Sequence, residues 1–231
     1  MAIEVHTPAE ASSALDRMSY EDYLRWAGED NILAEWADGR VIIPMPPTDI
    51  HQLTAGFLYH LLDLFVHLLQ LGRVFIAPFE MKLSQSAREP DILFVATEHL
   101  DRQTRERLVG PADLVIEIVS DDSVQRDRRE KFREYRDAGI REYWIIDPRP
   151  GKQRADFYRL TPDADFELYA TEDDERVASG VLPGFWLRPA WLWQAETLDP
   201  FVAFGAMAGF TEDFAQQLRN QIKGGFTKPQ A

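Results

Sequence analysis

Cysteine is absent from the 231 residues. Its absence excludes disulfides, thiolate zinc sites, iron–sulfur ligation and thiol nucleophiles, and it suits a cytoplasmic location. Positive charge is scarce: Lys plus Arg number 25 against 39 Asp plus Glu, a formal net charge of −14. A surplus of that size repels phosphate backbones, without forbidding a local basic face or a metal-bridged contact. Long apolar runs are missing too. A membrane span needs about 20 apolar residues; the stretch 57–71 is interrupted by His60, Asp63 and His67, and 201–210 is too short. The first residues lack the basic-then-apolar pattern of a secretory signal. There is no fixed-period repeat, no glycine-rich phosphate loop and no Gly-x-Ser-x-Gly elbow, so triphosphatase and serine-hydrolase chemistry lack support.

What is present is a core. Apolar residues make up 45% of the chain, with six Trp and 14 Phe, which argues against disorder. Residues 1–18 read as a leader, 19–195 as one α/β domain, and 196–231 as a helical arm and tail. Ser19 is an N-cap candidate for a short helix carrying Tyr23, Leu24 and Trp26. Asp38-Gly39 between two apolar segments is a hairpin signal. From 50 to 71 the apolar residues Leu53, Phe57, Leu58, Leu61, Leu64, Phe65 and Leu68 recur at helical spacing, so a long and mostly buried helix is expected, ended by Gly72. Residues 73–84 and 91–97 read as strands. The run 113–120 (DLVIEIVS) reads as a strand covered on both faces, and 141–147 as another. The polar segment 123–138 between them reads as a crossover helix. Outer strands follow at 155–160 and 166–170. The apolar stretch 201–210 precedes a Thr211-capped helix with Phe214, Leu218 and Ile222 on one face. That arm either packs on its own domain or awaits a partner. Together the order predicts an α/β fold with a mixed central sheet flanked by helices and a C-terminal helical appendage.

The chemistry concentrates between residues 90 and 147. Glu117 interrupts an otherwise apolar strand, and an unpaired ionised carboxylate there would cost about several kcal/mol. Two remedies are open: a cationic side chain, or a divalent ion shared with a second carboxylate. Asp91, which opens a strand after Pro90, is the candidate second ligand, and magnesium favours such hard oxygen donors. In the following helix Lys131 lies four residues after Asp127, on one face, amid a local basic excess. His60 and His67 read as packing residues.

Pro90-Asp91, Glu117-Ile118-Val119-Ser120, Asp127…Lys131…Tyr135 and Gly139-Ile140-Arg141-Glu142-Tyr143-Trp144-Ile145-Ile146-Asp147 together resemble the Uma-type family of the PD-(D/E)XK nuclease superfamily. Glu35, Asp38-Gly39 and His51 match its pattern as well, and the resemblance covers roughly Ser19 to Trp193. It implies a restriction endonuclease-like core and Mg2+-dependent (or Mn2+-dependent) phosphodiester hydrolysis, with DNA as substrate and a homodimer as the assembly. Asp91 and Glu117 would hold the metal. Asp91, Glu117 and Lys131 would be catalytic, and Glu35, His51 and Asp127 auxiliary. The parent pattern places its lysine two residues after the acidic ligand, where this chain has Val119; Lys131 on the next helix is the matching position. Glu80-Met81-Lys82 has the parent spelling in the wrong order, leaving Glu80 or Lys82 as residues that could line the site. The alternatives are a non-catalytic relative that binds a partner and a hydrolase of smaller phosphoesters.

Overall fold

The computed structural model describes residues 17–30 and 33–225. The leader therefore lies largely outside the described residues. Among the described residues two larger sheets and a two-stranded ribbon, flanked by helices, build the domain. Ser19 Oγ accepts from the Asp22 amide at 3.1 Å and starts helix α1, Tyr20–Asp30. Strands β1 (Glu35–Ala37) and β2 (Arg40–Ile42) form the expected hairpin, with Asp38 and Gly39 at φ of 50° and 84°. Helix α2 (Asp49–Leu69) follows.

The expected strand over 73–84 is two strands. β3 (Gly72–Ile76) ends before the cis Ala77-Pro78 bond, and β4 (Glu80–Lys82) joins a different sheet. After them come β5 (Ser86–Arg88), β6 (Ile92–Ala96), β7 (Arg107–Val109) and β8 (Leu114–Ile118). A helical segment then runs from a widened π turn (Arg126–Lys131) into α3 (Phe132–Asp137) and leads to β9 (Glu142–Asp147). The outer strands are β10 (Arg154–Leu160) and β11 (Phe166–Thr171). The short pair β12 (Val177–Ala178) and β13 (Trp186–Leu187) precedes helices α4 (Pro200–Met207) and α5 (Glu212–Gly225).

The six-stranded sheet has the order β11-β10-β9-β8-β6-β3, parallel only between β8 and β9, as a crossover helix requires. The five-stranded sheet, β2-β1-β5-β4-β7, is built of three-residue strands. Alternation along β8 divides the core. Leu114, Ile116 and Ile118 join Leu58, Leu61 and Leu62 of α2 on one face. Val115 and Val119 join Tyr135, Tyr143, Met81 and Leu108 on the other.

Three sequence expectations about α2 need correcting. Gln70, at φ 55°, is its left-handed cap; Gly72 instead opens β3, where a Cβ would lie 2.0 Å from the Val95 carbonyl oxygen. Leu53, Leu64 and Leu68 are exposed, off the face that packs against the sheet. His60 and His67 are exposed rather than packed. By length and composition α2 is also apolar enough to cross a membrane, and its buried face packs the central sheet. The C-terminal arm divides: Ala203 and Phe204 of α4 are buried, whereas Phe214 and Ile222 of α5 are exposed.

Candidate active site

β6 and β8 are antiparallel with Ile92 opposite Ile116 and Leu93 opposite Val115. One further register step sets Asp91 opposite Glu117, on the face shared with Leu93 and Val115. The two carboxylates, 26 positions apart in sequence, therefore meet on one side of the sheet. Asp91 Oδ2 accepts from the Ile118 amide at 2.6 Å, which fixes the carboxylate against the end of β8. His51, in the first turn of α2, places Nε2 3.3 Å from Asp91 Oδ1.

The helix after β8 supplies the cation. Asp127, Lys131 and Tyr135 recur every four residues, and the π turn directs all three inward although the segment is otherwise charged and wet. Lys131 Nζ lies 2.9 Å from Glu117 Oε1, 3.0 Å from Glu35 Oε1 and 3.8 Å from Asp127 Oδ1. Tyr135 donates to the same Glu117 oxygen at 2.7 Å. Ser123 Oγ donates to Asp127 Oδ2, and Asp127 Oδ1, 3.8 Å from the Lys131 ammonium, is buried without a hydrogen-bond partner.

Glu35 comes from the other sheet. Its Oε2 accepts from Arg88 Nη1 at 3.0 Å, and its Oε1 accepts from the Glu89 amide at 3.1 Å. Arg88 is fully buried and also binds Glu134. Both oxygens of Glu35 are thus engaged, and it meets the cleft through Lys131. Glu80 and Lys82 lie elsewhere. Glu80 accepts from Tyr20 at 2.5 Å, and the Lys82 ammonium sits 4.5 Å from the Tyr20 ring centre.

All six predicted residues, Glu35, His51, Asp91, Glu117, Asp127 and Lys131, line one cavity of about 220 Å³. Its electrostatics are those of a site short of positive charge. Burial pushes the Glu117 carboxyl up to about 8; Asp127, Asp91 and Glu35 add to this and Lys131 opposes it. Burial also raises Asp127, against Lys131 and Ser123. For Lys131, burial disfavours the ammonium, but Glu117, Glu35 and Asp127 outweigh it and hold the group charged. Burial would raise Glu35 as well, yet Lys131 and Arg88 bring it down to about 2. Glu89, at the rim, is pushed up to about 7 by burial, Glu35 and Glu80.

The donor set fits a hard divalent cation. Asp91 and Glu117 offer carboxylate oxygens, a bound cation would favour ionisation of the buried Glu117, and Asp127 Oδ1, which lacks a hydrogen-bond partner, can orient a water. Among the described residues no three His, Asp or Glu side chains form a ready-made ligand cluster. Two carboxylates completed by water match the way magnesium is ordinarily bound.

Sequence reasoning missed Arg88, Glu89 and Arg126, and it gave Tyr135 no role. Arg88 and Glu89 sit immediately before Pro90-Asp91, and Tyr135 continues the four-residue spacing of Asp127 and Lys131; those were the available signals.

A family model described as "Uma2: Putative restriction endonuclease" matches residues 20–190, from the first helix to just past β13. The chain belongs to the Uma2 family. Among solved structures, it is similar to a "putative nuclease belonging to DUF820" from Anabaena variabilis, at 19% identity and a TM-score of 0.63, over 76% of this chain and 97% of that one. At that identity the likeness establishes the fold, a restriction endonuclease-like α/β core. No curated protein matches the chain. Uma2 membership and the fold agree on a nuclease-type scaffold, and the six-residue cleft lies within the matched span.

Proposed function

We propose that this Uma2 protein is a metal-dependent nuclease that hydrolyses phosphodiester bonds in DNA. The observation that carries the reading is the meeting of Asp91 and Glu117 on one face of β6 and β8, with the Lys131 ammonium 2.9 Å from Glu117. Asp91 and Glu117 would hold Mg2+ or Mn2+, both of which accept carboxylate and water oxygens. When bound, such an ion supplies Lewis-acid stabilisation for charge developing on the phosphate.

The remaining groups act as the chain's own machinery. Lys131 keeps its protons on Nζ and is the donor to the anionic phosphate or to the attacking water. Glu35, anchored by Arg88, holds that ammonium at 3.0 Å beside Glu117. His51 braces Asp91 through Nε2. Asp127 Oδ1, free of hydrogen bonds, would accept from a water in the cleft, and Tyr135 fixes the rotamer of Glu117. The exposed Phe214 and Ile222 of α5 support a homodimer.

Cleavage of a supercoiled plasmid and of a labelled single strand, with Mg2+ or Mn2+, tests the reading. The native protein is expected to cut, and Asp91→Ala and Glu117→Ala are expected not to. Equal activity in all three proteins, or none in any, removes it.

A further inference from the structure

We infer that the segment 43–47, together with Leu33, is an apolar prong that parts one base step of duplex DNA from the minor groove and so brings the adjoining phosphodiester to the carboxylates. The inference rests on the nuclease reading above and names how that site takes a paired substrate.

β2 ends at Ile42 and α2 begins at Asp49. Between them runs Ile43-Pro44-Met45-Pro46-Pro47-Thr48, with three prolines in six residues. Proline fixes φ and offers no amide hydrogen, so this link is stiff and joins neither sheet nor helix. Its apolar side chains stand in water: Ile43 is 55% and Met45 67% exposed, and Leu33 is 58% exposed. Single exposed apolar residues are ordinary. Here Leu33, Pro44, Met45 and Pro47 line the same cavity as Asp91 and Glu117. The prong is also held at its tip. Burial would raise the Asp122 carboxyl, but Ser120, Arg126 and the Met45 amide bring it down, so the Met45 backbone faces a carboxylate that Ser120 and Arg126 fix in place.

The surroundings of the prong select its occupant. The core of a protein interface is depleted of charge, whereas this rim adjoins the buried carboxylates Glu117 and Asp127. The inside of a base stack is apolar. Leu, Ile, Met and Pro are side chains that wedges push into it from the minor groove, kinking the duplex toward the major groove. The kink opens the minor groove and swings the backbone of the parted step, which carries a phosphodiester toward a recessed floor. Insertion also suits a chain poor in cations, because an apolar contact displaces no counter-ions.

A duplex whose adenines are replaced by a fluorescent analogue, which brightens when unstacked, tests the inference. Ca2+ replaces Mg2+ so that binding is read without cleavage. The native protein is expected to brighten this duplex. It should also bind a duplex with a two-base bulge, already parted, roughly ten-fold or more tighter than the intact one, since unstacking is no longer required. Ile43→Ser/Met45→Ser exchanges exposed side chains, so its melting temperature should match that of the native protein. It is expected to bind without brightening, to lose the preference for the bulge and to keep the native salt dependence. Leu33→Ser, from a separate segment, should show a smaller loss of the same kind and guards against a folding defect in the first variant. No brightening by the native protein, or equal brightening by the double variant, overturns the inference. So does a double variant that loses self-association in sedimentation while its unstacking is unchanged, which assigns the prong to a second copy. Brightening without cleavage under Mg2+ or Mn2+ removes the nuclease reading and leaves this one. Cleavage of intact duplex without brightening does the reverse.

Discussion

Lys131 and Glu117 form a buried pair at 2.9 Å in which the lysine also faces Glu35 and Asp127. Glu35 is shared with the Arg88 guanidinium, so Lys131 is the one ammonium facing Glu117 and Asp127, and a bound cation would favour ionisation of both.

Replacing Lys131 by Met removes the only ammonium from this group. Breaking a buried pair from one side costs about 3–5 kcal/mol, so the melting temperature is expected to fall sharply and cleavage to vanish. Because the loss is one of positive charge, Mg2+ should raise the melting temperature of Lys131→Met more than that of the native protein. Thermal denaturation with and without Mg2+ measures both. A fall that Mg2+ leaves untouched would show that the carboxylates do not share a cation.

Glu35 gives the fold a pH dependence with a definite sign. Its carboxyl, brought down to about 2 by Lys131 and Arg88, binds protons less readily in the folded chain than at the ordinary value of 4.5. It therefore stabilises fully above about pH 4.5 and loses that contribution as pH falls towards 2. The full contribution is about 3 kcal/mol. In urea denaturation the gap between native and Glu35→Gln protein should be present at pH 7 and narrow steadily below pH 4.5. A gap independent of pH would contradict the assignment.

Arg88 has no exposed surface and bridges Glu35 and Glu134 across two elements. Arg88→Met should cost about 3–5 kcal/mol, since Glu134 loses its partner and Glu35 is left with Lys131 alone as counter-charge. Arg88→Lys should recover only part of it, because an ammonium cannot present the guanidinium fork. Equal stability of the Lys variant and native protein, read from urea midpoints, would show that one contact suffices.

The site was legible where the sequence broke its own rules. A lone carboxylate in DLVIEIVS, a proline-led aspartate and a four-residue spacing of Asp127 and Lys131 each departed from local pattern, and all three converge. The hairpin at Asp38-Gly39 followed from turn chemistry alone. The five-stranded sheet was hidden, because strands of three residues are too short to show a period. The run 73–84 kept enough apolar residues to read as one strand, yet Ala77-Pro78 divides it between two sheets. Arg88 was invisible because its partners lie 53 and 46 positions away.

Gly72 tests the fold itself. At φ +151°, with the Val95 carbonyl where a Cβ would stand, Gly72→Ala must displace β3 from β6. A loss of about 3 kcal/mol or more is expected from backbone displacement, opposite in sign to the gain of about 0.5–1 kcal/mol that Gly→Ala brings where the backbone tolerates it. Hydrogen exchange should show the loosening confined first to β3. Near-native stability would mean the edge strand yields freely.

The most direct test of the account is where a divalent ion sits. Crystals grown with Mn2+ and measured at its absorption edge should show one anomalous peak between Asp91 and Glu117, lost in Glu117→Gln. A peak elsewhere, or none at that position in the native protein, would contradict the claim that these two carboxylates hold the metal.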